Sequence, residues 1–166
     1  MSPRKRLLVV FHTQSGNTAQ LAEAVLRGAN RVAETETRVL RAFDAGIDEL
    51  LNCDGLLLGT PKNFGYMSGA LKDFFDRTYY AVLGHVDARP YATLVCAGSD
   101  GQGAARQIAR IATGWRLKPV AEPLIVITHA QTPEAILAPK TIDAPSLARA
   151  RELGTAMAAG ISMGIW

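Results

Sequence analysis

Residues 7–18 read LLVVFHTQSGNT, a short apolar run followed directly by a polar, glycine-containing stretch. Residues 7–11 favour β-structure, and their continuous apolar character predicts a strand that is buried on both faces of a parallel sheet. From Thr18 onward apolar residues recur at helical spacing as far as Val32, which predicts an amphipathic helix. The segment is therefore predicted to form a strand, a tight loop and a helix in immediate succession.

Strands and helices are predicted to alternate along the rest of the chain. In order they are strand 37–43, helix 47–51, strand 55–59, helix 68–82, strand 91–97, helix 104–115, strand 124–128 and helix 147–161. Pro61 lacks an N–H, so the strand at 55–59 is predicted to stop just before it, and a loop of about seven residues is predicted to follow. Residues 132–145 are predicted to be a proline-containing connection to the last helix.

This alternation predicts an α/β fold, a doubly wound five-stranded parallel sheet in the order 2-1-3-4-5 with helices on both faces. Ligands bind such sheets outside the carboxyl ends of the strands, where the winding direction reverses between strands 1 and 3. The loops that follow Phe11, Gly59 and Ala97 are therefore the candidates for a site.

Composition limits the class of protein. The chain has 166 residues, 48% of them apolar, and is predicted to form one domain over residues 1–166. A formal charge of +3 from 18 basic and 15 acidic residues is too small to indicate a nucleic-acid partner. We find neither an apolar run of about 20 residues nor an apolar signal core near the start, so we expect a cytoplasmic protein without a membrane anchor. Cys53 and Cys96 have no metal-ligand spacing, so no metal site is predicted, and both cysteines are expected to be buried.

The first candidate loop, residues 12–18, combines hydroxyl side chains with a glycine at the start of a helix. Free amide donors and the helix dipole make such a place suited to an anion, with Thr13, Ser15, Asn17 and Thr18 as further donors. The patterns GxxxxGK[ST] and GxGxxG are both absent from the sequence, which argues against a nucleotide triphosphatase and an ordinary dinucleotide-binding dehydrogenase. The alternative is a helix start that is merely capped.

The second and third loops add aromatic and glycine residues. In residues 60–69, aromatic side chains are placed to face a flat ring; alternatively, Phe64 and Met67 pack into the core and Tyr66 packs against the helix start. Residues 97–103 hold three glycines and can direct several amide donors at one polar edge, or can be only a tight turn.

Two motifs carry a resemblance to a known family. TQSGNT at 13–18 resembles the flavodoxin phosphate loop. GTPKNFGYMSG at 59–69, with Lys72, Phe75, Asp76 and Arg77 after it, is similar to the flavin loop of the tryptophan-repressor-binding-protein type of quinone reductase. The chain thus resembles the flavodoxin-like superfamily, in its branch of NAD(P)H-dependent FMN reductases and quinone reductases.

The resemblance implies FMN as cofactor and NAD(P)H as electron donor. The implied cofactor-binding residues are Thr13, Gln14, Ser15, Gly16, Asn17 and Thr18 at the phosphate, Thr60, Pro61, Lys62, Asn63, Phe64 and Gly65 at the ribityl chain and ring, and Ala97, Gly98, Ser99, Asp100, Gly101 and Gly103 at the pyrimidine edge. The cofactor carries the chemistry, so no catalytic residue is assigned. Lys62 either attracts the phosphates of the nicotinamide nucleotide or is a solvated loop lysine.

Three functions follow as hypotheses. The first is an oxidoreductase that passes electrons from NAD(P)H through FMN to a quinone or another small acceptor. The second is a one-electron carrier of the flavodoxin type, which the basic charge disfavours because such carriers are usually acidic. The third is an interaction protein without firm flavin binding. The quinone-reductase branch usually has a long insertion after the fifth strand and a histidine near the flavin; neither is evident around His129, so a tetramer is not expected. Because flavin sites in this branch are often completed by a neighbouring subunit, the resemblance implies a homodimer.

Overall fold

A computed structural model describes residues 2–166, in which seven strands form a single sheet covered by helices. In chain order the elements are β1 (Lys5–Phe11), α1 (Asn17–Ala29), β2 (Thr35–Arg41), α2 (Ile47–Asn52), β3 (Gly55–Asn63), β4 (Tyr66–Met67), α3 (Gly69–Val82), β5 (Pro90–Ala97), α4 (Gln102–Gly114), β6 (Lys118–Pro119), β7 (Leu124–Ile127), α5 (Pro133–Leu137) and α6 (Ala144–Met163). The predicted α/β class is confirmed.

The strands follow the order β2-β1-β3-β5-β6, and β7 also pairs with β5. All of these pairings are parallel, whereas β4 pairs antiparallel with the end of β3. The order agrees with the predicted doubly wound arrangement except in its last position. Two short strands share that position, because β6 pairs with the start of β5 and β7 with its end.

Alternate residues of β1 and β3 enter two separate apolar cores. Leu8 and Val10 of β1 face the layer that contains α3 and α4, while Leu7 and Val9 face the layer that contains α1 and α6. The middle of each of these strands is apolar on both sides, because both faces of the sheet are covered by helices. The two layers hold β1 and β3 rigidly at the point where the winding reverses.

The prediction that β3 ends before Pro61 was wrong. The strand runs to Asn63, and Pro61 pairs with Cys96 of β5. Pairing of β3 with β1 ends at Gly59, so Pro61 has a neighbouring strand on one side only. A proline at such an edge position removes no ladder hydrogen bond with β1. The predicted seven-residue loop is instead a short hairpin formed by the end of β3 and β4.

Other predicted boundaries also need correction. β2 begins and ends two residues earlier than predicted, because its backbone pairs with β1 from Thr35, opposite Lys5, to Arg41, opposite Phe11. The buried Thr35 hydroxyl also donates a hydrogen bond to the carbonyl of Ala158 at 2.8 Å. The predicted connection at 132–145 contains a helix that was not predicted, α5, which begins at Pro133 and is capped by the Thr132 hydroxyl. That helix has no buried residue and therefore no apolar periodicity to reveal it.

Two further findings concern burial and the membrane. Cys53 and Cys96 are buried thiols, as predicted. None of the helices within residues 2–166 combines the length and the apolar character that crossing a bilayer requires.

Candidate functional site

A cleft opens at the carboxyl ends of β1, β3 and β5, the edge of the sheet that the topology indicated. Its lining residues are Thr13, Gln14, Ser15, Asn17, Thr18, Pro61, Lys62, Asn63, Cys96, Ala97, Gly98, Thr128, Ala130, Ile136 and Lys140. All three predicted loops contribute to this list, so the structure brings them together in one place.

The first loop presents the start of α1 to the cleft. Gly16 has a φ of 93°, a conformation that favours glycine, and its N–H donates to the Thr13 hydroxyl at 3.1 Å. Among residues 2–166, no side chain caps the amides of the first turn of α1. Thr18 is 1% exposed, and its hydroxyl finds no hydrogen-bond partner among the described residues. The loop thus has unused donors, as a site for an anion requires.

The second loop is a tight hairpin. Phe64 and Gly65 both have positive φ, 54° and 75°, between the paired residues Asn63 and Tyr66. Two such residues in succession are typical of a type I′ turn. The side chain of Phe64 is fully exposed, whereas Met67 is 3% exposed, so the core-packing alternative holds for Met67 and fails for Phe64.

The third loop contacts the second loop in two places. The Lys62 ammonium donates a hydrogen bond to the carbonyl of Ser99. Gly103 lies against the carbonyl of Gly65, so closely that a Cβ there would overlap it. Asp100 accepts a hydrogen bond from Gln102 N–H at 3.1 Å at the start of α4. These contacts fix the two loops as one wall of the cleft.

Some of the predicted residues support the cleft without lining it. These are Gly16, Thr60, Phe64, Gly65, Ser99, Asp100, Gly101 and Gly103. Thr60 is fully buried and accepts a hydrogen bond from Ser68 N–H, so it secures the hairpin. A Cβ on Gly101 would press on Ile125, which makes this glycine a packing requirement of the strand-to-helix turn.

Sequence reasoning missed five lining residues. They are Cys96, Thr128, Ala130, Ile136 and Lys140. Thr128 and Ala130 follow the edge strand β7, and the same rule about carboxyl ends would have indicated them. Ile136 and Lys140 arrive from α5 and the segment after it, and nothing in their local sequence signals this position.

The cleft is electropositive. Lys62 and Lys140 line it, and among the described residues that line it none is acidic. Burial raises the pKa of the Cys96 thiol to about 11, against a smaller opposing effect of Lys140, so this thiol is neutral. Beside the cleft, burial and then the Arg41 charge lower the pKa of His12. The cleft is thus suited to an anionic ligand and lacks an activated nucleophile.

A doubly wound parallel sheet with the order β2-β1-β3-β5 and three loops that meet at its reversal point defines the flavodoxin-like class of fold. The chain belongs to the NADPH-dependent FMN reductase family, whose model matches residues 6–132. The resemblance inferred from the two motifs is thereby confirmed.

Individual relatives agree with this family. A flavodoxin of Aquifex aeolicus (strain VF5) is 34% identical over 106 residues, 63% of this chain and 55% of that protein. An NAD(P)H dehydrogenase (quinone) of Acidithiobacillus ferrooxidans is 34% identical over 93 residues, 44% of this chain and 46% of that protein. The chain therefore matches about half the length of these relatives. A solved flavodoxin from the domain Archaea superposes with a TM-score of 0.77 at 21% identity, covering 94% of this chain and 98% of that one, which shows the shared fold.

Proposed function

We propose that the chain binds FMN in the cleft and transfers electrons from NAD(P)H through it to a quinone or another small acceptor. Family membership supports FMN-linked oxidoreduction, and the relative named as a quinone dehydrogenase supports the acceptor class. We further propose that residues 1–166 form one domain with a single cofactor site.

The observation that carries this proposal is that hydrogen-bond donors of the first loop have no partner among residues 2–166. A buried hydroxyl without a partner costs about 1–3 kcal/mol. Because Thr18 also lines the cleft, its hydroxyl is expected to serve a ligand there. The amides at the start of α1 lie beside it and are equally free of side-chain caps among residues 2–166. A phosphate placed there would satisfy both sets of donors.

The residues present fit FMN along the rest of the cleft. We assign the phosphate to residues 13–18, the ribityl chain and one ring face to residues 60–65, and the polar ring edge to residues 97–103. Bound FMN would supply hydride acceptance and electron donation. The chain's own contribution is to bind, to orient and to present fixed amide dipoles toward the ring, where they stabilise charge without rearrangement.

The charge of the cleft supports the donor assignment. NAD(P)H carries phosphates, and Lys62 lies at the cleft on the hairpin side, held by the Ser99 carbonyl. A fixed ammonium at the cleft raises the local concentration of such an anion. We therefore assign Lys62 to nucleotide binding and give no residue a proton-transfer role.

The test is anaerobic spectral titration of the FMN-reconstituted protein with NADH and with NADPH. Rapid two-electron bleaching by either nucleotide is expected, and it would identify the donor. Turnover with a soluble quinone then tests the acceptor. Failure of the protein to retain FMN would refute the proposal.

The flavodoxin relative favours a second candidate, a one-electron carrier that serves a protein partner. The same titration separates the two functions. A carrier would be reduced in two distinct one-electron steps by dithionite and would remain oxidised in the presence of either nucleotide.

A further inference from the structure

A fourth segment, residues 138–142, is tied to the first loop through a single side chain. Gln20 of α1 donates from Nε2 to the Lys140 carbonyl at 2.7 Å, and its Oε1 accepts from Ile142 N–H at 3.0 Å. The same Nε2 lies 3.3 Å from the Gly16 carbonyl. One amide group thus joins Lys140 directly to the loop that begins α1.

The side chain of Lys140 is fixed as well. Its Nζ donates to the carbonyls of Ile136 at 3.1 Å and Ala138 at 2.9 Å. An ammonium has three donors, so one N–H remains for another acceptor. Lys140 lines the cleft together with Thr18.

The position of the ammonium within the cleft follows from its neighbours. Its charge acts on the Cys96 thiol at the end of β5, where it opposes the larger effect of burial on that pKa. The other lysine of the cleft, Lys62, is held at the Ser99 carbonyl on the hairpin side. The backbone of Lys140 is instead joined to the Gly16 carbonyl through Gln20, so Lys140 is the lysine of the cleft that lies on the side of the first loop.

We propose that Lys140 binds the cofactor phosphate together with the start of α1, and that Gln20 positions it there. The inference rests on the proposed function and extends it, because it adds a charged contact outside the three loops. The phosphate dianion would then bind to three groups. These are the unpartnered buried hydroxyl of Thr18, the start of α1, which has no side-chain cap within residues 2–166, and the ammonium of Lys140. The cleft is expected to select FMN over riboflavin, which has no phosphate.

A structural role for Lys140 would give a different result. If Lys140 only stabilised the end of α5 through the two carbonyls, its loss would disturb the cleft for any flavin. A phosphate contact, in contrast, would affect FMN and leave riboflavin binding intact. The comparison of the two flavins therefore separates the two roles.

The experiment measures dissociation constants for FMN and riboflavin by fluorescence quenching, at low and high salt. The variants are Lys140→Met, Lys140→Arg and Gln20→Ala. Lys118→Met is the matched control, since Lys118 is exposed and pairs with Pro90 at the opposite end of β5. Thermal unfolding followed by circular dichroism verifies that each variant is folded.

Lys140→Met is expected to weaken FMN binding about tenfold or more at low salt, since it removes a hydrogen bond to a charged group. Riboflavin binding should change by less than about twofold, and Lys140→Arg should restore most of the FMN affinity. Gln20→Ala should reproduce part of the FMN-specific loss, and Lys118→Met should match the wild type.

Equal losses for both flavins, or unchanged FMN binding in Lys140→Met, would overturn the role of Lys140 while leaving the proposed function intact. A wild-type chain that binds neither flavin would overturn both.

Discussion

The Thr60 hydroxyl accepts a hydrogen bond from the backbone N–H of Ser68 at 3.0 Å, and both residues are fully buried. Ser68 in turn caps α3, because its hydroxyl accepts from Leu71 N–H at 3.3 Å. The base of the hairpin and the start of α3 are thereby fixed to the end of β3. This pair holds the second loop in place beside the cleft.

Replacement of Thr60 by valine is expected to lower the free energy of unfolding by about 1–3 kcal/mol, because it leaves a buried N–H without an acceptor. Thr78→Val is the control, since the buried Thr78 hydroxyl donates only to a carbonyl in its own helix. Urea denaturation of both variants measures the difference. Equal effects of the two substitutions would show that the Thr60 contact has no special role.

Thr18→Val should separate binding from stability. We expect folding stability equal to or above that of the wild type, because an unsatisfied buried hydroxyl is removed, and FMN binding weakened by about tenfold. Thr37→Val is the matched control: its hydroxyl is also buried without a partner among the described residues, but it lies on β2, outside the cleft. Fluorescence titration provides the comparison. Similar FMN affinities for both variants would remove Thr18 from the phosphate site.

Phe64→Asn should stabilise the protein. Phe64 has a φ of 54° and buries none of its side chain, so asparagine, which tolerates this conformation, is expected to add about 1 kcal/mol to the free energy of unfolding. A lower turnover with NAD(P)H in the same variant would assign the exposed ring to substrate binding. Thermal denaturation tests the first statement, and a lower melting temperature would contradict it.

His12 should make stability depend on pH. Burial, with a smaller effect of Arg41, lowers its pKa in the folded protein from the ordinary value of 6.5. At a pH between the folded-state and unfolded-state pKa values of His12, the unfolded chain binds more protons than the folded chain. The contribution of His12 to the free energy of unfolding is therefore complete above about pH 6.5 and is lost as the pH drops below that value. His12→Gln should flatten this dependence in urea unfolding. An unchanged slope in His12→Gln would contradict the assignment.

The sheet could be predicted from the sequence where the local pattern of apolar residues agrees with the packing of the folded chain. The apolar run that contains Val9 and Val10 needs helices on both faces, and the alternating elements provide them. The prediction that β3 ends before Pro61 was wrong because it considered only that proline lacks an N–H. Pro61 costs no hydrogen bond with β1, since pairing of β3 with β1 already ends at Gly59, and this is visible only in the assembled sheet.

The candidate site was predictable in part for the same reason. The three loops follow strands, so topology locates them. Lys140, in contrast, reaches the cleft through a contact with Gln20, 120 residues away in sequence. No periodicity or motif encodes such a contact, and only the folded chain reveals it.

The most direct test of the cofactor site is a titration of the 15N-labelled chain with FMN, followed through backbone amide signals. The account predicts saturable one-to-one binding, with the largest shifts at residues 13–18, 60–65, 97–103 and 138–142. Shifts concentrated on another face of the sheet, or no shifts at all, would contradict it.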